Sequence, residues 1–185
     1  LVECLDESGL DQLSDLTDAV AAQTEQNMRS QIAALPDGVF ENEIELEEED
    51  PAGKRLVICS RLEVRGDEIF IDYAGTSPQV PLPINSVLNM TTAYSTFAIK
   101  CALTPHSPNN KGTSAPIHVS APEGSILNPT FPAAVMHRTA IVFYCVQAIF
   151  QQLAAVKPDR VMAPCGTYPL WVERFAGKDH EGNPY

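Results

Sequence analysis

The sequence predicts a mixed α+β fold with a long N-terminal helix, a small mainly antiparallel sheet with a hairpin, and two packed helices. Three patterns predict it: an apolar repeat of three to four residues before Pro36, two β-rich segments around a short polar turn, and two later apolar stretches. With 185 residues, 44% of them hydrophobic, the chain can form a real core. We expect a helical arm (1–36), an α+β core domain (37–160) and the start of a further β segment (161–185).

The first element is an amphipathic helix. Its apolar stripe consists of Leu10, Leu13, Leu16, Val20, Thr24, Met28, Ile32 and Leu35. Ser8 is a candidate N-cap, and Pro36 ends the helix because proline lacks an amide donor. A helix of about 28 residues would be about 42 Å long, more than a domain of this size needs. We therefore expect it to pack against another part of a larger protein or against a partner.

Period-two patterns predict the strands. Residues 39–46 alternate apolar with acidic side chains and lead into the acidic run 47–50, which predicts a half-exposed strand followed by an acidic loop. We interpret the acidic stretch from Glu41 to Asp50 as a solvated face and not as a cation site. Residues 56–64 and 69–73 flank a polar turn and predict a hairpin. A short strand is expected at Ile117–Ser120.

Two later segments predict the packed helices. Residues 86–103 have helical periodicity, and the stretch 133–156 is apolar on nearly every side, which favours a buried helix. Pro158 closes the second helix. The segments 74–83 and 104–116 collect Gly, Pro, Ser and Asn and are expected to be loops.

Composition excludes several classes of function. The net charge of -12 and a pI near 4.6 would repel nucleic acid and anionic membranes, so neither is expected as a partner. No run of about 18 apolar residues occurs, and residues Leu1 to Ser8 have neither a basic nor an apolar leader region, so we expect no export signal here. The five cysteines lack a CxxC pair, which indicates reduced thiols and a cytoplasmic protein. The chain starts without Met and stops just after a turn signal, so we expect it to be a fragment.

Several short phrases occur in a characteristic order. They are Leu35-Pro36-Asp37-Gly38, Ile71-Asp72-Tyr73-Ala74-Gly75-Thr76-Ser77-Pro78-Gln79, Pro108-Asn109-Asn110-Lys111-Gly112, Ala121-Pro122-Glu123-Gly124-Ser125 and Pro132-Ala133-Ala134-Val135. In order and spacing these phrases resemble the B subunits of the hydantoinase/oxoprolinase family, over roughly residues 28–163. The resemblance covers the middle to later part of a protein some three times this length.

The resemblance implies a two-component enzyme in the cytoplasm. A hydantoinase A-type subunit with an actin-like ATPase fold would bind ATP and phosphorylate a small cyclic amide, and the B subunit would help to complete ring opening. We therefore expect a hetero-oligomer. In the related carboxylases a divalent metal is held by His and Asp residues in a preceding part of the chain, so no metal ligand is assigned here. Two alternatives are a component of a biotin-independent ketone carboxylase and a non-catalytic scaffold that docks the A subunit.

The loop after the second hairpin strand holds the first candidate site residues. Asp72 ends a β-run and could act as a base or orient substrate, or it could cap the following turn. Thr76, Ser77 and Gln79 could hold an acyl phosphate or a ring carbonyl, or their polar groups could satisfy one another within an ordered turn.

Three more candidates lie further along the chain. Asn110 precedes Lys111-Gly112 and could contact substrate, or it could only shape a turn. His137 and Arg138 open the predicted buried helix, where an anion could be bound by the guanidinium together with the helix N-terminus; an ion pair or an interface contact is the alternative. Both belong to a phrase, Met136-His137-Arg138, that departs from the Gly/Asn-rich turn of many hydantoinase B chains and predicts a divergent branch.

The remaining His and Cys residues are interpreted as structural. His106, His118 and His180 have no neighbour at metal-ligand spacing, and Cys165 has no general base at a known spacing. From the placement of strand ends and helix starts, we expect Asp72 and Arg138 to share one cleft with the 76–79 loop.

Overall fold

The computed structural model describes residues 7, 9, 13–163 and 176–183. Its helices and strands are α1 (Leu13–Ala33), β1 (Gly38–Glu49), β2 (Arg55–Arg65), β3 (Glu68–Asp72), α2 (Leu88–Leu103), α3 (Lys111–Ser114), β4 (Ile117–Ser120), α4 (Arg138–Leu153) and a 3₁₀ turn (Pro158–Arg160). The predicted α+β class, long first helix and hairpin are confirmed. The N-cap proposed at Ser8 and most of the expected β segment over 161–185 lie outside the described residues.

One mixed sheet contains the four strands in the order β1-β2-β3-β4. The pairs β1/β2 and β2/β3 are antiparallel, whereas β3 and β4 are parallel. In the hairpin turn Gly66 has φ +61°, a left-handed value that glycine adopts without steric cost. The acidic run predicted as a loop is mostly strand, because Glu49 still pairs with Arg55 and the turn begins only at Asp50.

The inner face of the sheet forms the core. Alternate residues of β2 and β3 are buried there: Leu56, Ile58, Leu62, Val64, Ile69 and Ile71. Helices α2 and α4 pack against each other, and α4 also contacts β1 and β2. The buried Gln152 of α4 donates from Nε2 to the carbonyls of Phe40 (2.8 Å) and Ser60 (2.9 Å), which ties two strands to the helix layer.

Both packed helices start later than the apolar stretches that predicted them. The apolar stretch that predicted the second packed helix begins at residue 133, but α4 begins at Arg138, where His137 and Arg138 were expected to open it. The preceding segment is held by long-range hydrogen bonds: Asn85 Nδ2 donates to the Ala134 carbonyl (2.9 Å), and the His137 amide donates to the Pro83 carbonyl (2.7 Å). These contacts compete with the local bonds of a helix.

The short helix α3 holds α1 in place, although α3 lies in the segment 104–116 that was predicted as a loop. The side chain of Asn110 caps α3 by accepting from the Gly112 amide (2.9 Å) and donates to Thr24 Oγ1 of α1 (3.0 Å). Gly112 lies directly on the α1 backbone, where a Cβ atom would overlap the Ala21 carbonyl. Before this contact, residues 14–19 of α1 are exposed. No helix in the described part of the chain combines the length and the apolar character needed to cross a bilayer.

Candidate functional site

An open cleft of about 510 Å³ lies on the face of the sheet that points away from α2 and α4. We call it the outer cleft. It is lined by Glu41, Asn42, Glu43, Cys59, Ser60, Arg61, Asp72 and Ala74. The side chains that point to this face alternate along β1 and β2 with the buried core residues. The strand pairing therefore brings the candidate Asp72 together with residues that are distant in sequence.

Carboxylates dominate the outer cleft. The register places Arg61 between Glu41 on β1 and Asp72 on β3. Arg61 is already engaged, because its Nη1 lies 2.7 Å from Glu63 Oε2. Within the described residues neither Glu41 nor Glu43 has an ion-pair partner. The cleft is therefore suited to cations and to neutral hydrogen-bond donors, and a phosphate group would be repelled.

Asp72 combines a structural contact with an available acceptor. Its Oδ1 accepts from Ser120 Oγ (2.9 Å) and from the Ala74 amide (3.2 Å), the second being the turn-capping contact weighed from the sequence. Its Oδ2 accepts no hydrogen bond from the described residues. A ring N–H or a water could donate to this oxygen.

Cys59 lies beside the carboxylates, with its Sγ 3.7 Å from Glu43 Oε2. Burial and the negative charge of Glu43 both raise the pKa of this thiol. The thiol therefore stays protonated near neutral pH and is a poor nucleophile. The sequence reasoning missed Glu41, Glu43, Cys59 and Arg61 as cleft residues, although a period-two pattern read across a paired hairpin places them near Asp72.

The polar side chains of the 76–79 loop are engaged in internal contacts. Thr76 Oγ1 bonds both the amide (3.2 Å) and the carbonyl (3.1 Å) of Cys59. Ser77 Oγ accepts from the Val57 amide (2.9 Å), and Gln79 Oε1 accepts from the Thr130 amide (2.7 Å). These bonds fix the course of the loop beside the outer cleft. A substrate contact by any of the three side chains stays a prediction.

The other candidates lie elsewhere. Asn110 belongs to the contact between α3 and α1. His137 and Arg138 are exposed at the start of α4, and Arg138 Nη1 donates to the Val135 carbonyl (3.1 Å). Arg138 does not line the outer cleft, and its helix packs on the opposite face of the sheet from Asp72. The structure thus corrects the expectation that the two side chains share one cleft, since Arg138 is not among the residues that line the cleft of Asp72. Their individual roles stay predictions.

The histidines have separate surroundings. His118 stacks on Phe70 with ring centroids 4.7 Å apart, and its Nε2 lies 3.6 Å from Glu68. His106 lines a different cleft beside α1, and His180 lies near Glu181. Across residues 13–163 and 176–183, no three His, Cys, Asp or Glu side chains are arranged to hold a metal ion. Cys165 is outside the described residues.

Known proteins resemble this chain in sequence and fold. The chain matches the Hydantoinase B/oxoprolinase family over residues 1–185. It is 32% identical to the putative D-/L-hydantoinase B subunit of Pseudomonas sp. (strain NS671), over 97% of this chain and 32% of that protein. It is 27% identical to the beta subunit of the caprolactamase of Pseudomonas jessenii, over 90% of this chain and 29% of that protein.

Solved structures show the same relationship. The ATP-dependent caprolactamase from Pseudomonas jessenii superimposes with a TM-score of 0.77 and 25% identity, over 88% of this chain and 28% of that one. A nucleotide-free acetone carboxylase shares the fold with a TM-score of 0.68 at 16% identity, over 85% of this chain and 23% of that chain. This chain therefore spans about a third or less of the length of these relatives. The chain belongs to the hydantoinase B/oxoprolinase family.

Proposed function

We propose that this chain is part of the B subunit of an ATP-dependent hydrolase that opens a cyclic amide together with an A-type subunit, which binds the ATP. The observation that carries the proposal is the similarity to a hydantoinase B subunit along nearly the whole chain. The name of the caprolactamase relative adds that such an enzyme can depend on ATP and act on a lactam.

Asp72 is the residue of this chain best placed to contact a cyclic amide. Its Oδ2, which accepts no hydrogen bond from the part of the chain that the structure describes, could accept one from the ring nitrogen or orient a water for attack on the ring carbonyl. The surrounding carboxylates favour a hydrogen-bond donor in the outer cleft and disfavour a phosphorylated group there. Any contact of His137 or Arg138 with an anionic part of the substrate would need a separate site at the start of α4.

The test uses the full-length B subunit with its A subunit and ATP. Hydantoins, 5-oxoproline, caprolactam and ketones with bicarbonate are offered, and the products are identified by mass spectrometry. Asp72→Asn should reduce turnover of the cyclic amide by more than about tenfold, since one transition-state contact is typically worth about 2–4 kcal/mol. Glu45→Gln, on the same face but outside the cleft, is the matched control. Unchanged turnover by Asp72→Asn would remove this residue from the mechanism, and carboxylation of a ketone would replace the proposed reaction.

A second candidate function is that of a scaffold that docks the A subunit and makes no contact with substrate. It is favoured by the internal contacts of Thr76, Ser77 and Asn110, which leave these candidate side chains engaged within the fold. In that case substitutions in the outer cleft should leave turnover unchanged in the assembled pair. The same turnover measurements therefore decide between the two roles.

A further inference from the structure

Asp72 and Ser120 end two neighbouring parallel strands. β3 ends at Asp72 and β4 ends at Ser120, and the two residues are partners in the register of the pair. Side chains at paired positions of neighbouring strands point to the same face of a sheet. The side chain of Ser120 therefore stands beside the Asp72 carboxylate, on the face that carries the outer cleft.

The backbone on either side of Asp72 is fixed. Ile71, the residue before it, is buried in the core and pairs with both neighbouring strands of β3. Tyr73, the residue after it, is also buried, and its amide donates to the Ser120 carbonyl (2.9 Å). The hydroxyl of Tyr73 lies 2.7 Å from Ser95 Oγ of α2. Because Asp72 is held between two buried residues, its side-chain torsions are the main freedom left to it.

Two donors hold one oxygen of the Asp72 carboxylate. Ser120 Oγ donates to Oδ1 across the strand pair (2.9 Å), and the Ala74 amide donates to the same oxygen at 3.2 Å. The residues that the structure describes donate no hydrogen bond to Oδ2. The terminal torsion of an aspartate has a broad, two-fold preference and does not by itself select one oxygen. These two contacts therefore make the two oxygens different.

The two donors differ in origin. The Ala74 amide lies two residues from Asp72 and forms the usual local cap of a turn. The Ser120 hydroxyl comes from a position 48 residues further along the chain. Ser120 is not among the residues that line the outer cleft. It therefore affects a molecule bound in the cleft through Asp72.

We propose that Ser120 is a positioning residue of the outer cleft, whose hydroxyl orients the Asp72 carboxylate so that Oδ2 meets a cyclic amide or the attacking water. The proposal rests on the role given to Asp72 above. Stabilisation of a transition state depends on orientation as well as on distance, so a carboxylate that is free to rotate should support the reaction less well. Substrate binding should change little, because Ser120 itself does not line the cleft.

The test uses the full-length B subunit with its A subunit and ATP, and the cyclic amide of the panel above that the wild-type pair opens fastest. Ser120→Ala should lower kcat by about three- to tenfold, as expected for loss of one hydrogen bond, and change KM by less than about twofold. Ser120→Thr keeps the hydroxyl and should restore kcat to within about twofold of the wild type. Ser114→Ala removes an exposed hydroxyl that donates to the Lys111 carbonyl of the same short helix; it is the control and should leave both constants unchanged.

A double-mutant cycle separates positioning from a purely structural role. Asp72→Ala removes the carboxylate, so Ser120→Ala on that background should lower kcat no further. Additive losses would overturn the proposal, because Ser120 would then act by a route other than Asp72. An unchanged kcat in Ser120→Ala, or a Ser120→Thr variant as impaired as Ser120→Ala, would overturn it too.

Crystal structures of the full-length wild type, Ser120→Ala and Ser120→Thr test the same point without turnover. The Asp72 carboxylate should rotate, or occupy two orientations, in Ser120→Ala alone. One orientation shared by all three proteins would contradict the proposal. A pair that opens no cyclic amide would refute the proposed reaction, and the crystal structures would still decide whether Ser120 orients Asp72.

Discussion

Single residues of the outer cleft owe their chemistry to neighbours on other strands. Cys59 on β2 lies opposite Glu43 on β1, and burial together with this carboxylate raises the pKa of the thiol. Asp72 sits at the end of β3, where Ser120 of β4 holds one of its oxygens. Strand pairing thus decides which oxygen or sulfur atom is available for chemistry.

Glu43→Gln should accelerate alkylation of Cys59. The substitution removes a negative charge that favours the protonated thiol, so the pKa of Cys59 falls and the thiolate fraction at pH 8 rises. We expect a several-fold faster reaction with iodoacetamide, measured for the Cys59 peptide by mass spectrometry. Cys101, whose pKa is raised mainly by burial, is the internal reference and should react at an unchanged rate. An equal rate for Cys59 in both proteins would contradict the assigned role of Glu43.

At the scale of elements, the contact between α3 and α1 explains the Asn-Lys-Gly phrase. Asn110 caps the short helix and reaches Thr24, and Gly112 allows the two backbones to touch. Both residues therefore have a structural reason to be present. A substrate contact by Asn110 would compete with these bonds.

Gly112→Ala should destabilise the protein by about 1–3 kcal/mol, the usual cost of forcing an extra carbon into a packed contact. The added methyl group would meet the Ala21 carbonyl and the Glu25 amide, so α1 would have to move away from α3. Chemical denaturation of the wild type and the variant measures the difference. Ser114→Ala, at an exposed position of the same helix, is the control. Equal stability of wild type and Gly112→Ala would show that α1 tolerates the shift.

At the scale of the whole molecule, charge is distributed unevenly. Acidic residues gather on β1 and the outer cleft, whereas the segments 78–87 and 124–136 contain no charged residue. A strongly acidic protein resists non-specific self-association. The molecule therefore combines a carboxylate-rich cleft, suited to hydrogen-bond donors, with two uncharged segments elsewhere.

The isolated chain should neither hydrolyse ATP nor open hydantoins. Its sequence contains no GxxxxGK[ST] phosphate loop, and it spans about a third of its hydantoinase relative. Phosphate release and ring opening by the purified chain should stay at the level of a blank without enzyme, and the full-length pair of subunits is the positive control. Measurable turnover by the chain alone would refute the expectation that the reaction needs a second subunit.

The sequence alone was enough for the family, the α+β class, the hairpin and the first helix. These features depend on local periodicity, on turn residues such as Gly66, and on phrases in a characteristic order, all of which are contained in short stretches of chain. The same patterns also identified Asp72 as a residue at a strand end beside a cleft. What local patterns could not supply was why residues 133–136 stay outside α4: Asn85 donates to the Ala134 carbonyl, and the His137 amide donates to the Pro83 carbonyl.

Only the tertiary structure decided which side chains meet. Arg61, Glu41 and Asp72 are brought together by strand register, whereas Arg138 is separated from Asp72 because its helix packs on the opposite face of the sheet. The exposure of Phe131 likewise follows from how two distant segments are joined. Each outcome depends on contacts between residues far apart in the chain, and periodicity carries no information about such contacts.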